Sequence, residues 1–313
     1  MNNAQTVVFN GASKNFGDLC ALDSLSLTIP EGSIYGFIGP NGAGKTTAMR
    51  LMLGIMQPTS GMVSVLGSDD SRTVRSEIGY LPEEKGLYPR MRVLDFIVYM
   101  GRLNHMDKKS AVSRARELLE EFDLINWQND KCQSLSKGMG QKVQLISTLV
   151  HNPKLLILDE PFSGLDPINT DVVRSMILNR VKEKATVILS THIMEQAESL
   201  CSALVLINKG RAVLEGPIDE IRAGDTVYLE HDKDETVLQG LPGVVSMKQF
   251  GRGVTLRISD EQDTQELLRA IVDRTKVIKF DTTSASLHEI FVREVGEDVE
   301  VGEDVEKGRL NGE

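Results

Sequence analysis

Gly39-Pro40-Asn41-Gly42-Ala43-Gly44-Lys45-Thr46 fits the pattern G-x-x-x-x-G-K-[ST], and the residues on either side give it the context that pattern requires. Before it, Ser33–Ile38 is a short apolar run that stops at glycine and proline, which predicts a buried strand. After it, Ala48, Met49, Leu51, Met52 and Ile55 predict a mostly apolar helix. The glycines permit torsions that turn several N–H groups inward, and those donors together with the helix N-terminus bind phosphate. Lys45 is then placed for the β- and γ-phosphates of a nucleotide, and Thr46 for a Mg²⁺ ion. By itself the loop does not separate a kinase from a GTPase or a transport ATPase.

Further along, Leu155-Leu156-Ile157-Leu158 is an apolar strand that ends in Asp159-Glu160. A buried strand of this kind delivers carboxylates to the carboxyl edge of a parallel sheet, where ligands bind. Asp159 is placed to hold Mg²⁺ through water. Glu160 points elsewhere and can polarise an attacking water as a general base. Thr186–Ser190 and Ala203–Ile207 are further strand-like runs, and Val172, Val173, Met176, Ile177 and Val181 predict a helix between the first of them and Glu160. Strands alternating with helices predict an α/β domain. From Met91 to about Ser134 the pattern turns helical, with Val93, Phe96, Ile97 and Met100 on one face and Leu118, Leu119 and Phe122 on a second segment.

Near Gly216–Asp225 the pattern changes again. Val254, Leu256 and Ile258 alternate with polar residues as in a half-buried strand, Thr264–Val272 predicts an amphipathic helix, and Lys276–Phe280 another strand. Residues 226–292 therefore read as a small α+β domain. The end of the chain repeats VGEDVE at Val295–Glu300 and Val301–Glu306, and residues 293–313 read as a disordered acidic tail.

The 313 residues carry a net charge of −10, of which residues 294–313 supply −6. No basic stripe is visible, so a nucleic-acid partner is not expected. No apolar run approaches the ~18–20 residues that span a bilayer, and the start of the chain lacks the pattern of a signal peptide. Cys20, Cys132 and Cys201 have no metal-ligand spacing and read as reduced thiols of a cytoplasmic protein.

Leu135-Ser136-Lys137-Gly138-Met139, followed by Gly140-Gln141-Lys142 and an apolar helix, resembles the signature of the ATP-binding-cassette (ABC) ATPases. The order of the other motifs fits that family. Phe16, in Lys14-Asn15-Phe16-Gly17, resembles the aromatic that stacks on adenine. Glu83 follows Ile78-Gly79-Tyr80-Leu81-Pro82 where the family usually has glutamine. Ser163-Gly164-Leu165-Asp166 resembles the loop that crosses the dimer seam, and Ser190-Thr191-His192 the switch histidine at the γ-phosphate. The string Pro82–Tyr88 and the block Ser286–Phe291 resemble the bacterial sodium- and drug-efflux branch, which carries an accessory C-terminal domain.

The resemblance implies an α/β fold: a P-loop ABC cassette over 1–222 with a helical insertion at about 88–150, and the small α+β domain behind it. It implies ATP and Mg²⁺ as ligands. Phe16, Asn41, Gly42, Gly44, Lys45, Thr46 and Thr47 would hold the nucleotide on one copy, with Ser136, Gly138 and Asp166 closing on it from a second copy, a homodimer. Thr46, Asp159 and Glu83 would face the metal, and Glu160, His192 and Lys45 would carry hydrolysis. The chain would power a separate integral membrane permease of an exporter, docked on the helical insertion and the loop Glu83–Pro89, and would sit on the cytoplasmic face of the inner membrane. The rival is a non-transport or regulatory cassette acting on another cellular complex; Glu160 opposes a regulatory cassette without hydrolysis. Three positions depart from the family pattern: Lys137 for glycine, Met139 for glutamine, and Glu83. A carboxylate at Glu83 repels the γ-phosphate unless Mg²⁺ or a cation such as Lys85 compensates, and it cannot donate as an amide does.

Overall fold

The computed structural model describes residues 5–84, 86–222, 226–232, 235–250, 253–259, 263–282 and 286–295. They fall into two compact units, Met1–Glu215 and Gly216–Glu313.

The first unit opens with β1 (Gln5–Phe16) and β2 (Leu19–Pro30), then β3 (Ile34–Ile38), α1 (Lys45–Met52), β4 (Ser60–Val65) and β5 (Ile78–Leu81). Three helices follow, α2 (Val93–Leu103), α3 (Lys108–Glu121) and α4 (Lys137–Leu149). The strand–helix alternation then resumes with β6 (Leu155–Asp159), α5 (Pro167–Lys182), β7 (Thr186–Thr191), α6 (Met194–Leu200), β8 (Ala203–Asn208) and β9 (Arg211–Pro217).

Six strands form one sheet in the order β5-β6-β7-β3-β8-β9, and the pairs from β5 to β8 are parallel. Every residue of β3, β6 and β7 is buried. This is why these strands read in the sequence as unbroken apolar runs and not as alternation. Three more strands form an antiparallel sheet, β2-β1-β4. Val7, Phe9, Leu27 and Ile29 of that sheet meet Phe37, Val205 and Ile207 of the larger one, together with Met49 of α1, in one core. The antiparallel sheet was not among the elements expected from sequence. Gly11 interrupts the alternation of β1 with a positive φ of 59°, and the register of β1 with β2 shifts beside it.

The helical stretch expected from Met91 to Ser134 is α2 and α3, and α2 packs on α3 and α4. Val93, Phe96, Ile97, Leu118, Leu119 and Phe122 are all buried, as their spacing requires. Polar caps set the helix starts: Asp107, Ser136 and Asp166 each accept a backbone N–H in the first turn of α3, α4 and α5. Ile55 does not belong to α1, which ends at Met52 just ahead of Gly54 in the left-handed region at φ 63°.

The second unit holds α7 (Ile218–Arg222), β10 (Thr226–His231), β11 (Val244–Phe250), β12 (Gly253–Ile258), α8 (Thr264–Val272), β13 (Val277–Asp281) and α9 (Leu287–Val295). Its sheet runs β11-β12-β10-β13, and each pair is antiparallel. Val227, Leu229, Val254, Leu256 and Ile258 alternate onto one face and pack with Leu267 and Ile271 of α8. The first residues assigned to the acidic tail belong to α9, and residues 296–313 lie outside the described residues.

Trp127 is the single tryptophan and lies in the first unit, so its fluorescence reports that unit's unfolding. Ile157→Ala, at a fully buried position of β6, is expected to cost about 2–5 kcal/mol, read as a lower denaturant midpoint in that signal.

Candidate functional site

The glycine-rich loop leaves the end of β3 and enters α1 at Lys45. A Cβ at Gly39 would run into the carbonyl oxygen of Ile207, and one at Gly44 into that of Ala21. Gly44 also has φ 114°, outside what a side chain tolerates. These two contacts explain glycine at both ends of the loop: it is seated against neighbouring backbone. Lys45 is buried, and its Nζ donates to the carbonyl oxygens of Gly39 at 2.6 Å and Pro40 at 3.2 Å. Burial lowers its pKa, while the charges of Glu160, Asp159 and Glu83 act the other way.

β6 delivers the two carboxylates. Asp159 is 2% exposed and Glu160 7%. Thr46 Oγ1 donates to Asp159 Oδ2 at 3.1 Å. Glu160 adopts φ 49°, a left-handed torsion uncommon for a residue with a side chain. Its Oε1 lies 2.9 Å from His192 Nδ1, which follows the end of β7. Burial raises the Glu160 pKa, against the His192 hydrogen bond and the charges of His192 and Lys45.

Lys45, Thr46, Asp159 and Glu160 line a cleft of about 390 Å³. Phe16, Leu19 and Ala21 line one side, the loop from Asn41 to Thr47 the floor, and Glu83, Asp159 and Glu160 the acidic side. Phe16 is 45% exposed, with Lys14 Nζ 5.4 Å from its ring centroid, so it is an open aromatic face and not a core residue. Three carboxylates against one ammonium would repel a polyphosphate. A divalent cation cancels that excess, and the oxygen donors of Thr46, Asp159 and Glu83 are the type that Mg²⁺ takes. The donor set therefore fits the metal expected from the sequence.

Ser136, Gly138 and Asp166 do not line this cleft. Ser136 caps α4, its Oγ 3.3 Å from the Met139 N–H. Asp166 caps α5, accepting the Asn169 backbone N–H at 2.9 Å and the Asn169 amide at 2.6 Å. That amide also packs against Gly138, where a Cβ would stand a tight 3.2 Å from Asn169 Nδ2. Lys137, the departure from the family pattern, lays its ammonium against Gly164. The three residues thus form a second cluster, at the adjoining starts of two helices. Lys85, named as a compensating cation for Glu83, lies outside the described residues.

Sequence reading assigned no role to Leu19, Ala21 or Ser190. The first two line the cleft from β2, a strand without a local signal for ligands. Ser190 is hydrogen-bonded both to Asp159 and to Glu160, and its signal was a hydroxyl inside an apolar strand.

Residues 22–163 match the family model described as ABC transporter, and residues 216–295 match the ATP-binding protein DrrA1-3-like C-terminal domain. The chain is 40% identical over 287 residues to the ABC transporter ATP-binding protein YhaQ of Bacillus subtilis, covering 91% of this chain and 96% of that protein. It is 31% identical over 300 residues to the Nod factor export ATP-binding protein I of Burkholderia lata, covering 93% and 97%. A solved ATP binding subunit of an ABC transporter superposes with a TM-score of 0.64 at 29% identity, covering 69% of this chain and 92% of that one.

The raised Glu160 pKa has a consequence for stability. A folded-state pKa above the unfolded value means that the folded chain binds the proton more tightly, so this group's contribution falls as pH rises from about 4.3, the ordinary glutamate value, through the folded pKa. Glu160→Gln should flatten that part of the pH profile and stabilise the chain relative to wild type at neutral pH. Denaturant midpoints from Trp127 fluorescence across the pH range check it.

Proposed function

Because this chain belongs to the ABC transporter ATP-binding proteins and is an ATP hydrolase of that family, we propose that it powers a separate membrane permease of an exporter, by closure of two copies around shared ATP. The observation that carries this reading is the division of the site. The phosphate loop and both carboxylates line one cleft, with His192 hydrogen-bonded to Glu160, while Ser136 and Gly138 stand at a different helix start. A second copy supplies the missing wall, with Ser136, Gly138 and Asp166 facing its twin's nucleotide.

On this reading Phe16 stacks on adenine, while Asn41, Gly42, Gly44 and Thr47 of the loop hold the phosphates. Lys45 leaves the carbonyls of Gly39 and Pro40 to neutralise phosphate charge. Thr46, Asp159 and Glu83 hold Mg²⁺, which draws charge from the phosphate oxygens when bound. Glu160 takes the proton of the attacking water at its carboxylate, and the elevated pKa suits that task. His192, through Nδ1, orients Glu160 Oε1. Closure is driven by contacts that exist only in the closed pair.

The permease docks in a second cleft of about 460 Å³, lined by Tyr88, Pro89, Arg90, Met91 and Tyr99. Tyr88 and Tyr99 are half exposed with ring centroids 5.9 Å apart, an apolar seat for an amphipathic helix. From that loop, the Glu84 carbonyl accepts from the Gln144 amide of α4 at 3.1 Å, which links the docking side to the helix that Ser136 caps. Among the described residues no helix is long and apolar enough to cross a membrane, in keeping with a peripheral place on the cytoplasmic face. The relative named for Nod factor export favours export.

Glu160→Gln should lower the ATP hydrolysis rate by at least about 100-fold while retaining binding of a fluorescent ATP analogue; normal turnover in this variant contradicts the assignment. Wild-type kcat/KM should show an acid limb above the ordinary glutamate pKa. Co-fractionation with an integral membrane subunit supports the transport reading, and recovery with ribosomes or DNA instead favours the regulatory one.

A further inference from the structure

Ser190 stands inside β7, in the run Val187-Ile188-Leu189-Ser190, and none of these four residues is exposed. A hydroxyl buried in an apolar strand carries a desolvation cost unless it finds partners. This one has two, and both belong to the catalytic strand. Its Oγ donates to Asp159 Oδ1 at 2.5 Å and accepts the Glu160 backbone N–H at 3.0 Å. The other oxygen of Asp159 accepts from Thr46. The carboxylate is therefore held from both sides, by α1 and by β7. Glu160 holds φ 49° at this same point, a torsion that needs surrounding structure to maintain it. The Ser190 oxygen gives its amide a partner, and Glu160 Oε1 then reaches His192.

We propose that Ser190 is a positioning residue for hydrolysis: one hydroxyl clamps the metal-side carboxylate and the backbone of the base into a single unit. This rests on the assignment of Asp159 to Mg²⁺ and of Glu160 to the water. Its added content is that the two are coupled. Asp159 reorients toward a metal only by giving up this hydroxyl or by shifting it, and the same hydroxyl holds the backbone that presents Glu160. With alanine at 190, a carboxylate oxygen and a buried N–H both lose their partner. A threonine keeps the donor and the acceptor.

The test uses the full chain. In wild type, amide exchange at Glu160, resolved by mass spectrometry with fragmentation, should be slow. In Ser190→Ala it should be at least about 10-fold faster, as expected for a buried amide that lost its acceptor. Turnover should fall roughly 10- to 100-fold. The gain in affinity for a fluorescent ATP analogue on replacing EDTA with Mg²⁺ should shrink several-fold, and Ser190→Thr should restore all three. A folded Ser190→Ala chain with unchanged exchange and an unchanged Mg²⁺ gain overturns the proposal, whatever its turnover. Should Ser190→Ala not fold, rapid exchange of the Glu160 amide in wild type overturns it, and slow exchange together with an active Ser190→Thr supports it. Failure of the underlying assignment has a different sign: full turnover in Glu160→Gln, with Ser190 untouched.

Discussion

Two acids buried side by side at the end of a buried strand constrain everything around them. Asp159 and Glu160 are almost wholly excluded from solvent, and β6 behind them is buried throughout. An uncompensated buried carboxylate costs several kcal/mol, against a total folding free energy of about 5–15 kcal/mol. The pair can persist only with partners, and the partners are the groups to which the proposed reading gives hydrolysis. Thr46 and Ser190 hold Asp159, while His192 holds Glu160, and the Lys45 ammonium faces both. The same contacts that make the strand end stable therefore gather the residues proposed to carry hydrolysis.

That economy has a geometric limit. The parallel order β6-β7-β3 brings the strand-end acids, the Ser190–His192 segment and the phosphate loop to one edge. The helices α2, α3 and α4 follow β5 and lie between it and β6 in the chain, so their starts answer to a different set of contacts. Ser136 and Asp166 satisfy their own helix ends and each other's neighbourhood, through Asn169 and Gly138. On the proposed reading the first set is the chemical half of a shared site and the second its recognition half. Lys137 belongs to the second half, where its ammonium covers Gly164 at the turn before α5.

Much of this was legible in the residues, for physical reasons. Fully buried strands produce continuous apolar runs, so β3, β6 and β7 were visible, as was β8 with its buried middle, and the glycine loop announced itself because backbone contacts at Gly39 and Gly44 exclude any side chain. The cassette family followed from the order of the motifs. The antiparallel sheet was missed where bulges at Gly11 broke its alternation. Leu19 and Ala21 were missed because they contribute shape, which has no residue-type signature. Ser190 was read only as part of the segment leading to His192. Its two hydrogen bonds reach 30 and 31 residues back along the chain, a pairing that only the sheet order reveals.

The division of the nucleotide site between two copies is the claim on which the functional account stands. Sedimentation of the Glu160→Gln chain in Mg²⁺ and ATP measures it directly. The account predicts a dimer that forms with ATP and dissociates when nucleotide is removed, and that is lost when Ser136→Arg is added. A species that stays monomeric at saturating ATP contradicts it.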